Sequence, residues 1–145
     1  MGVLTYAVWI DAGPERVWAT YVDPARIADW QTGKPVVTDA RGEAGAPGST
    51  YVSRRGRLAA RTTVLSADAP NRLSTRVDAY FGLQLEVTSR LTEQRGGTDL
   101  SIHVETHWGG RRGPVQRIVE MAILSPREAR KELANLKALI ERHGA

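Results

Sequence analysis

Cysteine is absent from the 145 residues, so no disulfide framework, thiolate metal site or thiol nucleophile is available. No apolar run approaches the ~20 residues that a membrane-spanning helix needs. The opening MGVLTYAVWID has no basic region followed by a long apolar stretch, so no signal peptide is expected and the chain is read as cytoplasmic. There is no G-x-G-x-x-G, phosphate loop or G-x-S-x-G elbow; Gly96-Gly97 and Gly109-Gly110 read as turn glycines. No cofactor is expected. Repeats, linkers and low-complexity tracts are also missing, which leaves one domain over residues 1–145.

What is present is ordinary for a globular chain: 41% hydrophobic and 25% charged residues. The net charge of +4 comes mainly from arginine, with Arg54, Arg55 and Arg57 in one group and Arg111 and Arg112 in another. A basic balance raises the question of a macromolecular partner. No basic run interleaves with aromatics to stack bases, so nucleic acid is not expected as a partner.

The chain divides by texture. Val3–Ile10 is rich in β-branched and aromatic residues and reads as a strand. Gly13-Pro14 starts a short helix over 15–21, and Asp23-Pro24 starts a second that carries Ile27 and ends at Trp30. Alternation with turn residues between then marks strands at 36–40, 50–54, 57–66, 72–79, 83–92 and 99–108. The short connections make neighbouring strands antiparallel. From Gly113-Pro114 to Arg142 the pattern is helical, with a capping box at Ser125-Pro126-Arg127-Glu128, so the helix is either kinked or split there. Ala129, Leu133, Leu136 and Ile140 form one apolar stripe, with Glu132, Lys137 and Glu141 elsewhere. The preceding segment is more apolar than one stripe requires, with Ile118, Val119, Met121, Ala122, Ile123 and Leu124, so it is buried on several sides or faces something apolar; a homodimer contact is one use for it.

Period-two alternation sorts the strand faces. Leu83, Leu85, Val87, Ser89 and Leu91 share one face, as do Leu100, Ile102, Val104, Thr106 and Trp108. Leu73, Thr75 and Val77 join them, with Leu58, Ala60, Thr62 and Val64 on the strand before and Arg61 and Arg76 outward. A one-sided sheet needs a cover, and only the C-terminal helix is long enough. One helix covers a strip about 10 Å wide, whereas seven strands ~4.8 Å apart extend roughly three times further. Small inward residues such as Ala60, Thr62 and Thr75 fill the remainder poorly, and a hollow follows.

Several motifs together carry a family resemblance. A strand ending Ile10-Asp11-Ala12, the helix bearing Pro14, Glu15, Val17 and Trp18, the Asp23-Pro24 helix ending at Trp30, the Ala69-Pro70-Asn71-Arg72-Leu73 turn and the long C-terminal helix resemble the SRPBCC or START-like superfamily over nearly the whole chain. The resemblance implies an α+β helix-grip fold: a curved antiparallel sheet of about seven strands around a long C-terminal helix, with two short helices after the first strand. It also implies a cavity for a small apolar ligand, lipid-like or polyketide-like. The chain departs from the pattern at Gly13, where many members place the proline directly after alanine, and at Ser125-Pro126.

The expected cavity lining is Trp30, Tyr51, Thr62, Thr75, Phe81, Leu85, Val87, Ser89, Thr106, Trp108 and Met121, an apolar wall with sparse hydroxyls. No metal site is expected. His103 and His107 on one strand lie ~13 Å apart and could share an ion only with help from a neighbour such as Glu86. Glu86 and Glu105 fall on the wet face, which makes them poor acid–base catalysts. Arg54, Arg76, Tyr51 and Tyr80 are catalytic candidates only where they face inward. The reading is therefore a small-apolar-ligand binder, with a polyketide cyclase or dehydratase as the alternative and a module binding macromolecules through its basic surface as the third.

Overall fold

The computed structural model describes residues 2–79, 82–108 and 113–142. Seven strands form one antiparallel sheet: β1 (Val3–Ile10), β2 (Val36–Arg41), β3 (Thr50–Arg55), β4 (Leu58–Asp68), β5 (Arg72–Asp78), β6 (Leu83–Gln94) and β7 (Gly97–Trp108). Their order is β1-β7-β6-β5-β4-β3-β2, so the chain ends the sheet beside the strand that began it. The crossover from β1 to β2 carries α1 (Pro14–Tyr21), a 3-10 turn (Pro24–Arg26) and α2 (Ile27–Trp30). After β7 come α3 (Pro114–Ile123) and α4 (Pro126–Arg142). This is the helix-grip fold expected from the sequence.

Local chemistry accounts for the breaks. Pro14 opens α1, and the Asp23 carboxylate accepts the Ala25 N–H at 3.0 Å to start the 3-10 turn. The C-terminal helix is split rather than kinked: Ser125 Oγ accepts the Glu128 N–H at 3.4 Å, and α4 starts at Pro126. The β6–β7 hairpin is tighter than the sequence suggests. Its strands run on to Gln94 and Gly97, because Arg95 (φ 52°) and Gly96 (φ 77°) close a two-residue turn of the kind that matches strand twist. At Gly97 the Ile10 carbonyl and the Trp9 ring come so close that a Cβ would overlap both.

Register shifts between Thr38 and Arg41 and between Val64 and Ser66 mark bulges that bend the outer half of the sheet. The second also reverses the side-chain alternation, so that Ala67 rather than Ser66 comes opposite the buried Leu73. The core lies towards β1 and β7. There Ile10, Leu100, Ile102 and Val104 meet Leu133, Leu136, Leu139 and Ile140 of α4, with Val17, Ile27 and Trp30 closing the end. Arg16 donates from its guanidinium to the Ile140 carbonyl, and Asn135 Nδ2 donates to the Trp30 carbonyl at 3.1 Å, tying α1 and α2 to α4.

Leu136 is fully buried at the centre of this contact, whereas Met121 is 75% exposed. Leu136→Ala should therefore lower unfolding stability by about 2–5 kcal/mol. At a concentration where the chain is monomeric, Met121→Ala should stay within about 0.5 kcal/mol of the parent. Urea denaturation of both variants checks the pair.

Candidate functional site

Because α4 packs over β1 and the short helices, the concave face of β3–β6 is only partly covered. A cavity of about 620 Å³ occupies the gap, within the range of small-molecule sites. Leu73, Val77, Leu85, Val87, Ile102 and Val104 supply the sheet wall, and Ala129 and Leu133 of α4 lie opposite. Ala60, Thr62 and Thr75 leave room where larger side chains would have filled it.

Six of the eleven lining residues expected from the sequence are in this wall: Trp30, Tyr51, Thr62, Thr75, Leu85 and Val87. Ser89 is buried one step behind it, its Oγ 2.6 Å from the Tyr21 hydroxyl that lines the cavity. Thr106 is also fully buried but serves the sheet edge, where its Oγ1 accepts the Gly2 N–H at 2.7 Å. Trp108 donates its indole N–H to Glu120 at 2.6 Å and is not part of the wall. Met121 is turned to solvent, since it shares with Ile118 (i, i+3) the outer face of α3, and Ala122 is the α3 residue at the cavity. Phe81 lies outside the described residues, as does Tyr80. Of the other catalytic candidates, Tyr51 lines the cavity, Arg54 is exposed, and Arg76 pairs with Asp78 at 3.3 Å on the outer face.

Polar residues that were not anticipated complete the site, Gln31, Thr32, Ser53, Glu128 and Lys131 among them. Tyr6 of β1 and Tyr21 of α1 line it, Arg55 stands at its mouth, and Glu132 enters from α4. The signal for Glu132 was available: it is three residues after Ala129 and four before Leu136, inside the apolar stripe. Burial raises its pKa. The Arg55 charge and a 3.4 Å hydrogen bond from Thr32 Oγ1 act against that rise, while Glu128 adds to it. Burial also pushes the Tyr6, Tyr21 and Tyr51 phenols upward, so all three stay protonated donors. Glu132 adds to the rise at Tyr6 and Tyr21.

The mouth is organised by Arg55. Its Nε donates to the Thr32 carbonyl at 3.2 Å and an Nη to Gln31 Oε1 at 3.0 Å. Gly33 permits the close approach: its φ is +78°, and a Cβ there would meet the Arg55 side chain at 3.2 Å. Tyr21 and Trp30 pack with ring centroids 5.8 Å apart. The Trp30 Nε1 is buried without a hydrogen-bond partner among the described residues. On the opposite face of the sheet, Glu86, Glu105 and His107 bring donor atoms within 4.8 Å of one another, but Glu86 is exposed and the group does not touch the cavity.

The sequence matches the polyketide cyclase / dehydrase and lipid transport family over residues 1–141, and the chain belongs to that family. No curated protein matches it significantly. Among solved structures, a protein from Mesorhizobium loti superposes with a TM-score of 0.76 at 20% identity, covering 99% of this chain and 100% of that one. DynU16, from the dynemicin biosynthetic locus, gives 0.66 at 19% identity, over 96% of this chain and 47% of that one. The Aha1 dimer from Colwellia psychrerythraea gives 0.66 at 17% identity with full coverage of both. At these identities the likeness establishes the fold.

Glu132 also sets a pH dependence. Its pKa in the folded protein is raised, so the folded state holds a proton that the unfolded chain has released. Stability should then fall as pH rises from the ordinary glutamate value of 4.5 through the higher value in the cavity. The difference between the parent and Glu132→Gln isolates this contribution from the other carboxylates. Denaturation midpoints measured from pH 4 to pH 8 should converge at the acid end, relative to the glutamine variant, and separate as pH rises.

Proposed function

We propose that the protein binds one small, largely apolar molecule in the cavity between the sheet and α4. The observation that carries this reading is the 620 Å³ hollow itself, walled by aliphatic residues and lined by a few polar groups. A folded core normally closes to near-crystalline density, so a hollow of this size is costly unless something occupies it. The protonated Tyr6 and Tyr51 phenols in the wall suit a ligand with an acceptor on an apolar frame, polyketide-like or lipid-like as the family description allows. The protein acts as a cytoplasmic binder, and no described helix is long and apolar enough to cross a membrane.

A second reading, turnover rather than storage, is favoured by one observation. Glu132 and three protonated phenols share the cavity with the ligand, which a pure container does not require. Homodimerisation through α3 belongs to the same proposal, supported by the exposure of Ile118 (68%) and Met121 (75%). Sedimentation should then show a dimer that Met121→Glu converts to monomer, and a parent that is monomeric at all concentrations removes this part.

Titration with the neutral fluorophore N-phenyl-1-naphthylamine tests the binding reading. Saturable binding at one site should change less than about twofold between low and high salt, unlike binding driven by phosphate contacts. Thr75→Phe, which places a ring in the cavity, should weaken it at least tenfold while the protein stays folded. Unchanged binding in a folded Thr75→Phe variant overturns the cavity as the site. Steep salt dependence moves the binding to the basic surface.

A further inference from the structure

The outer face of the sheet, away from the cavity, carries a cluster that the ligand site does not use. Glu86 of β6 stands directly across the ladder from Glu105 of β7. Two carboxylates placed this way repel each other and weaken the pairing of their strands. His107 lies two residues beyond Glu105 on the same face, diagonal to Glu86. Donor atoms of all three lie within 4.8 Å of one another. Arg76, opposite Glu86 on β5, donates its Nε to Asp78 at 3.3 Å.

The imidazole of His107 is a second, separate sign. Its Nε2 is shut off from solvent and has no hydrogen-bond partner among the described residues, although the side chain as a whole is partly exposed. Glu86 Oε2 is 3.8 Å away, too far for a hydrogen bond. Glu105 is steadied from its other side. His103 Nε2 lies 3.4 Å from Glu105 Oε1, and His103 Nδ1 lies 2.8 Å from Thr5 Oγ1 on β1. Two histidines four apart on one strand cannot share an ion by themselves. Strand pairing brings the two carboxylates to His107 and leaves His103 to orient one of them.

We propose that Glu86, Glu105 and His107 bind one divalent transition-metal ion of the zinc class. One imidazole and two carboxylates are a zinc donor set, with bonds of about 2.0–2.2 Å. The three side chains close slightly on the ion, which the exposed Glu86 permits. The ion removes the repulsion between Glu86 and Glu105 and gives His107 Nε2 the partner it lacks. An imidazole nitrogen selects against magnesium and calcium, which prefer oxygen donors alone. Three protein donors leave a further coordination position to water. Because the donors come from two paired strands, the ion binds the folded chain and stabilises it. The site shares no residue with the cavity, so it stands whatever the cavity holds.

Calorimetric titration of tag-free, chelator-stripped protein with Zn2+ tests the site. The parent should bind one Zn2+ per chain, and about a hundredfold excess of Mg2+ should not displace it. Glu86→Gln and His107→Ala should each weaken Zn2+ at least about tenfold. Saturating Zn2+ should raise the urea midpoint of the parent and leave that of Glu86→Gln unmoved. His143 is the remaining histidine of the chain, and His143→Ala should bind Zn2+ as the parent does. A parent that takes up no stoichiometric Zn2+, or binding that both outer-face variants retain in full, overturns the site. Binding lost in His143→Ala places the ion at the C-terminus and overturns it equally. Displacement by Mg2+ overturns the zinc class.

Discussion

A helix of 17 residues has to cover the concave side of a seven-stranded sheet, and the mismatch in width governs most of what the molecule does. The helix α4 spends its apolar stripe on β1, β7 and the two short helices, where Leu136 and Leu139 reach near-complete burial. That choice leaves β3, β4 and β5 facing a gap. Bulges in β2 and β4 curl the sheet towards the helix, yet Ser53, Ala60, Thr62 and Thr75 interrupt Tyr51, Val64, Leu73 and Val77 along the inward side. Curvature brings the walls near, and small side chains keep them apart.

The same gap explains how the chain tolerates a carboxyl on an apolar helical face. In a closed core Glu132 would lose its hydration and have nothing in exchange. At the edge of a cavity it keeps a hydrogen bond from Thr32 and the field of Arg55, while enough desolvation persists to raise its pKa. Arg55 in turn is fixed by Gln31 and the Thr32 carbonyl, which only a glycine at position 33 lets it approach. Mouth, acid and aromatic wall are one linked construction, so a change at Gly33 would be felt at Glu132 through Arg55 and Thr32.

The parts of this arrangement that depend on period and punctuation were legible in the sequence. Alternation placed Thr62, Thr75, Leu85 and Val87 on the concave face, and Asp23-Pro24 led to the helix that ends at Trp30. Parity alone, however, says which face a residue joins and not how far along the strand the cavity extends. Ser89 and Thr106 share the face but sit where Tyr21 and the chain start have already covered it. Met121 escaped because six apolar residues in 118–124 crowd more than one helical face, and the break at Ser125-Pro126 separates α3 from the stripe of α4. Glu132 was set apart from the stripe as a charge, although its i, i+3 and i, i+4 neighbours place it there. Tyr6 and Tyr21 needed tertiary structure, since their roles come from meeting across the sheet end rather than from their own segments.

The cavity that could admit a ligand also sets the state of the groups in its wall. Removing water lifts Glu132 above the ordinary carboxylate range and holds the Tyr6, Tyr21 and Tyr51 phenols protonated. Leucine or methionine at position 132 would continue the stripe of α4, whereas the carboxyl there needs the hydrogen bond from Thr32 and the charge of Arg55 to offset its burial. The helix thus gives up apolar contact where it faces the hollow and keeps it where it meets β1.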